Sequence, residues 1–177
     1  RDTERVRAVR KGAPAARLIV DANEGWDIAV YRQRVPEMLQ LGVEMIEQPL
    51  PAADDEALRT LERPIPICAD ESCHDRGSLK DIVDRYDMIN IKLDKAGGLT
   101  EALELRNAAT ANGLRVMVGC MLATSLAMAP ATLLAQGVSI VDLDGPLLLE
   151  RDRQPGLLFE RGLVHPRRTP GGTRLYD

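Results

Sequence analysis

The chain has 177 residues, 45% apolar and 28% charged, with 23 Lys and Arg against 27 Asp and Glu and a net charge of −4. That balance belongs to a globular domain with a sizeable core. Nucleic-acid binding calls for a cationic field or a row of stacking aromatics, and neither is present: the charge is net acidic, and Trp26, Tyr31, Tyr86, Phe159 and Tyr176 are dispersed.

Taken in chain order, residues 2–12 read as a helix ended by Gly12 and Pro14. Leu18-Ile19-Val20 is a short strand running into the turn composition Asp21-Ala22-Asn23-Glu24-Gly25. Residues 27–41 place Ile28, Tyr31, Val35, Met38 and Leu39 at helical spacing, with Gly42 as the stop. Val43–Ile46 is the next strand, halted by Gln48-Pro49-Leu50-Pro51. A helix near 53–62 leads to the strand Ile65–Ala69, then a helix near 76–84 and the strand Met88–Ile91. A helix over 98–111, the strand Leu114–Val118, a helix near 123–135 and the strand Val138–Val141 complete the rhythm, and after Pro146 the chain reads as loop.

Val116 to Val141 holds 26 residues without a charge. Gly119, Pro130 and Gly137 interrupt it, so a buried strand–helix–strand is expected and not a membrane span. Cys68, Cys73 and Cys120 are odd in number and lack metal-type spacing, which points to a reducing, cytoplasmic setting. The opening Arg1-Asp2-Thr3-Glu4-Arg5 has no apolar signal segment and no initiator Met, and it starts inside a predicted helix. A longer polypeptide is expected. His74 and His165 are expected on surface loops.

Strands alternating with helices predict a parallel α/β sheet. The first four strands end in Asp21, Glu47, Asp70 and Lys92, separated by 26, 23 and 22 residues, about one βα unit each. A polar residue at each strand end favours a β/α barrel, whose active sites gather on that face. A doubly wound open sheet is the alternative, but its glycine-rich G-x-G-x-x-G turn is missing.

Three acidic side chains on consecutive strands can converge on one ion, and hard oxygen ligands without His or Cys suit Mg²⁺. The competing reading makes these acids helix N-caps and turn residues. Lys92, at the end of an apolar strand, is expected to have a depressed pKa beside a cation and to act as a base. Alternatively it pairs with a site carboxylate and stays protonated. Lys95 is expected on the loop surface, and Gly97-Gly98 in a tight βα turn.

Val20-Asp21-Ala22-Asn23, Ile46-Glu47-Gln48-Pro49, Ala69-Asp70-Glu71-Ser72 and Ile91-Lys92 with Gly97-Gly98-Leu99 together resemble the ordered motifs of the enolase superfamily, muconate-lactonizing subgroup. The resemblance implies a (β/α)7β modified TIM barrel, with Asp21, Glu47 and Asp70 holding Mg²⁺ and Lys92 as a base. It also implies abstraction of the proton α to a carboxylate, through an enediolate. Asp142-Leu143-Asp144 is similar to the D-x-D of dipeptide epimerases of the L-Ala-D/L-Glu type, where the pair binds the substrate's α-amino group. Read by itself it is equally a turn closed by Gly145-Pro146. Cys120 is expected to line the substrate pocket.

The same resemblance implies pieces lying before Arg1: two barrel strands, a capping domain, and a Lys-x-Lys that carries the second base for 1,1-proton transfer. Six strands cannot close a barrel, so residues 1–146 are expected to be a partial barrel and 147–177 a loop-rich extension. The remainder would come from an N-terminal portion or a second copy of the chain, and the 177 residues alone are expected to be inactive. The expected partner is a small dipeptide, with neither nucleic acid nor membrane. Rival readings are a cycloisomerase, an o-succinylbenzoate synthase, an N-acylamino-acid racemase, or a non-catalytic barrel fragment.

Overall fold

The computed structural model describes residues 1–165. Its strands β1 (Leu18–Asp21), β2 (Val43–Glu47), β3 (Ile67–Ala69), β4 (Met88–Ile91), β5 (Arg115–Val118) and β6 (Ile140–Val141) form one sheet in sequential order. Every neighbouring pair is parallel. The helices are α1 (Asp2–Gly12), α2 (Ile28–Gln40), α3 (Arg76–Ile82), α4 (Leu93–Ala96), α5 (Leu99–Ala111) and α6 (Ser125–Leu134). Strand order that follows chain order, with helical crossovers, makes the wall of a β/α barrel and not a doubly wound sheet.

Alternation along the strands sorts side chains into two cores. Ile46, Ile67, Ile89, Ile91 and Val118 point outward into the layer shared with the helices. Met45, Cys68, Met88 and Met117 form a separate cluster on the other face, with Ile140 against it. Burying one such aliphatic or thioether side chain contributes about 2 kcal/mol. Because a strand's side chains repeat with period two, the residues two places beyond this inner cluster, Glu47, Asp70 and Asn90, continue the inner face toward the carboxyl-terminal end.

The helix caps separate the two readings of the strand-end acids. Asp27 caps α2, its carboxylate accepting from the Val30 N–H at 2.8 Å. Asp75 caps α3 in a reciprocal capping box with Ser78. Asp21 and Asp70 therefore carry no cap.

The sequence expectations fail in four places. The helix over 53–62 shrinks to a single 3₁₀ turn, Asp55–Arg59, because Asp55 is drawn inward and is 1% exposed. The strand expected over 138–141 pairs only at Ile140–Val141; Gly137 takes a left-handed φ of 75° just before it. The one-turn α4 replaces loop after Lys92 and ends on Gly97 in the left-handed conformation. Where loop was expected after Pro146, the chain forms a 3₁₀ turn that includes it, Gly145–Leu148, and then an antiparallel hairpin, β7 (Leu158–Glu160) and β8 (Leu163–His165). Arg161 and Gly162 both have positive φ, 53° and 76°, the two-residue connection that suits strand twist. The rest of the expected extension, residues 166–177, lies outside the described residues. Residues 116–141 form β5, α6 and β6 as expected, and no helix among the described residues is long and apolar enough to cross a membrane.

Candidate functional site

The carboxyl-terminal ends of β1 to β4 bring the predicted acids side by side. Asp21 and Glu47 are register partners, Asp70 follows β3, and Lys92 follows β4. Glu47 and Asp70 are 5% and 3% exposed, while Asp21, on the edge strand, is exposed. Asp21 accepts from the Asn23 N–H at 2.8 Å. Glu47 accepts from Asn90 Nδ2 at 2.6 Å. Asp70 accepts from Lys92 Nζ at 2.5 Å and from Lys95 Nζ.

These contacts set the electrostatics. Burial, with the charges of Asp70 and Asp21 adding to it, pushes the Glu47 carboxyl up to about 7 despite the opposing Asn90 bond. Burial also works against the Asp70 carboxylate, but the two ammoniums outweigh it and hold its pKa below the ordinary value. For Lys92 burial works downward, yet the bond and charge of Asp70, with Glu47 and Glu71, raise its pKa. In the metal-free chain Lys92 therefore forms the ion pair with Asp70 that the sequence offered as the alternative.

Lys95 corrects the sequence reading. Its side chain is 11% exposed, and Nζ donates to the Asp70 carbonyl at 2.6 Å and the Asn90 carbonyl at 3.1 Å, besides the Asp70 carboxylate. One lysine thereby ties the ends of β3 and β4 together. Asn90 was also missed. The signal for it is parity: Asn90 lies two residues before Lys92 and shares its face of β4.

Across the sheet, Asp142 follows β6, and Asp144 follows two residues later. Both are exposed, and neither forms an ion pair with a described residue. Partial burial, then the charge of Asp144, raises the pKa of Asp142. Cys120 is half-buried, its thiol pushed up by burial and by Asp142 and Asp144. Lys92 acts electrostatically on both Cys120 and Asp142. His74 and His165 are exposed, the latter on β8.

The donor set suits a hard divalent cation: carboxylates at three neighbouring strand ends, without imidazole or thiolate. A further oxygen, Asn90 Oδ1, is buried without a hydrogen-bond partner beside Glu47. Among the described residues no three acidic, His or Cys side chains are gathered as a ready metal cage, since Asp21, Glu47 and Asp70 each turn to a different donor.

A family model described as enolase C-terminal domain-like matches residues 1–173. The chain belongs to that family. L-Ala-D/L-Glu epimerase of Escherichia coli strain K12 is 53% identical over 163 residues, covering 92% of this chain and 51% of the relative. An N-acetyl-D-glutamate racemase of Pseudoalteromonas is 48% identical over 162 residues, covering 92% of this chain and 51% of the relative. The chain therefore spans about half the length of these curated relatives. A crystal structure of an Agrobacterium tumefaciens enolase family member with homology to dipeptide epimerases, with bound sodium and L-Ala-L-Glu, superposes with a TM-score of 0.92 at 55% identity, covering 95% of this chain and 52% of that one. A dipeptide epimerase from Methylococcus capsulatus, complexed with Mg and L-Arg-D-Lys, gives a TM-score of 0.88 at 32% identity, covering 96% of this chain and 51% of that one. These matches bear out the expected superfamily and barrel fold.

Proposed function

We propose that the polypeptide carrying this chain is a Mg²⁺-dependent epimerase of dipeptides of the L-Ala-D/L-Glu type, working by 1,1-proton transfer. The observation that carries this is the layout of the inner face. In strand order Lys92 stands between the strand-end carboxylates Asp21, Glu47 and Asp70 and the acidic pair Asp142 and Asp144, which has no ion pair with a described residue. The strand-end carboxylates are the candidate Mg²⁺ site, and the Methylococcus structure, with Mg and a dipeptide, supports that choice. Bound there, the ion would supply positive charge against which a substrate carboxylate can accumulate negative charge.

The chain's own residues do the rest. Asp142 and Asp144 bind the substrate ammonium and orient the α-carbon toward Lys92. On one face of that carbon Lys92 serves as the base when it is the neutral amine and as the proton donor when it is the ammonium that Asp70 stabilises. Cys120 lines the pocket between them. Delivery to the opposite face needs a second base, for which the portion preceding residue 1 is the proposed source.

The test is α-proton exchange with D₂O in the full polypeptide, followed by NMR from L-Ala-L-Glu and L-Ala-D-Glu. General acid–base groups contribute about 10²–10⁴-fold, so Lys92→Ala should reduce exchange from at least one epimer by about that factor. Unchanged exchange from both epimers removes Lys92 from the reaction. A second reading, racemisation of an N-acylated amino acid, is favoured by the 48% identity to the N-acetyl-D-glutamate racemase. An acylated nitrogen carries no charge, so Asp142 and Asp144 would then have no ammonium to bind.

A further inference from the structure

Gln48 follows Glu47 directly and is 0% exposed. Its φ is 32°, in the left-handed region that residues with a Cβ seldom occupy. Surrounding contacts must hold it there, and they run to three strand ends. The Gln48 N–H donates to the Cys68 carbonyl of β3 at 2.9 Å, and its carbonyl accepts from the Glu24 N–H, in the loop after Asp21, at 2.8 Å. Its Oε1 accepts from the Asp70 N–H at 2.9 Å and from the Ser72 N–H at 3.2 Å. Nε2 donates to the Leu50 carbonyl at 2.9 Å and lies 2.8 and 2.9 Å from Ser72 Oγ and Tyr86 OH.

Proton bookkeeping fixes which way the amide points. Ser72 Oγ and Tyr86 OH both donate to Asp55 Oδ2, at 2.6 and 2.7 Å. Asp55 is itself held by Arg85 Nη1 at 2.6 Å. With their protons given to Asp55, the two hydroxyls offer only lone pairs to Gln48. Nε2 must face them, and Oε1 must face the Asp70 N–H. A buried ion pair and two hydroxyls thus aim one amide at the backbone of Asp70.

We infer that Gln48 is a positioning residue: supported by Asp55, Ser72 and Tyr86, it fixes the carboxylates of Glu47 and Asp70 relative to each other for cation binding. This rests on the cation-site reading above. Partners that orient ligands in this way typically change metal affinity 10- to 100-fold when removed.

The experiment is a Mn²⁺ titration followed by EPR on the full polypeptide, with metal-free circular dichroism and melting in parallel. Gln48→Met, close in shape but without the amide, should raise the Mn²⁺ Kd 10- to 100-fold in protein that remains folded. Tyr86→Phe, which withdraws one hydroxyl from the support, should raise it several-fold. A residue that merely stabilises the fold would lower the melting temperature and leave the Kd of the folded protein alone. A folded Gln48→Met with a Kd within twofold of wild type overturns the inference, as does the same result for Tyr86→Phe if Gln48→Met fails to fold. Wild type that binds no Mn²⁺ overturns the cation site and this inference together; wild-type binding that the variants share overturns the inference alone.

Discussion

Between β2 and β4, each chemistry-bearing side chain is enclosed and held by a neighbour: Glu47 by Asn90, and Asp70 by Lys92 and Lys95. At the other margin of the sheet, β6 is two residues long, and Asp142 and Asp144 are exposed. A cleft of about 610 Å³, lined in part by Val141, Asp144, Phe159 and Leu163, opens beside them, and Leu147 and Leu148 are 62% and 70% exposed. Groups that hold charge or move protons need fixed geometry, which a packed, low-dielectric interior supplies. Groups that recognise a substrate need access. Their enclosure depends on whatever packs against the open margin, and the relatives carry about as much chain again.

The sharpest way to break this contrast is to neutralise the exposed end. Under the dipeptide reading, Asp142→Asn with Asp144→Asn removes the countercharge of an ammonium. Truncating such a partner costs about 2–5 kcal/mol, so kcat/KM for L-Ala-L-Glu should fall about 30- to 5,000-fold. Turnover of N-acetylglutamate, if any, should hold. Dipeptide turnover within twofold of wild type would strip the pair of its recognition role.

The enclosed end is open to attack through pH, with metal removed by chelation. Glu47 keeps its proton up to about pH 7 in the folded chain, whereas an unfolded glutamate loses it near 4.3. Below both values the group is protonated in either state and contributes nothing. As pH rises between them the unfolded chain binds fewer protons than the folded one, so stability falls. Above pH 7 the deficit is constant, on the order of 3–4 kcal/mol at 1.36 kcal/mol per pKa unit. Urea unfolding from pH 4 to 8 should therefore show a downward slope in wild type that Glu47→Gln flattens. Parallel slopes would mean that Glu47 is no more burdened by its charge than in the unfolded chain.

Much of the enclosed end was readable beforehand, and for a physical reason. Asp21, Glu47, Asp70 and Lys92 each close an apolar run, and their spacing is one βα unit, a long-range regularity that survives in a single sequence. What was missed leaves no such trace. Lys95 sits on α4, whose four residues are too few to show helical periodicity. Asp55 and Gln48 turn inward through tertiary hydrogen bonds that no local pattern encodes. The β7–β8 hairpin was legible in principle, since Phe159 and Val164 pack inward on either side of Arg161-Gly162, but its strands are three residues each.

Gly119 gives the smallest and most local test of how tightly the enclosed end is built. It follows β5, and a Cβ built on it would lie 2.6 Å from both amide atoms of Asn90. Its φ is not among the positive ones, so space and not backbone conformation is what requires glycine here. Asn90 is 1% exposed and has nowhere to retreat except off Glu47. Gly119→Ala should thus cost about 1–2 kcal/mol, in the range of overpacked sites, measured by urea unfolding. In an Asn90→Ala background the clash disappears, and the same substitution should cost at least about 1 kcal/mol less, a coupling that a double-mutant cycle isolates. Equal costs in both backgrounds would show that the Asn90 amide is not what the glycine accommodates, and would loosen the link between β5 and the orientation of Glu47.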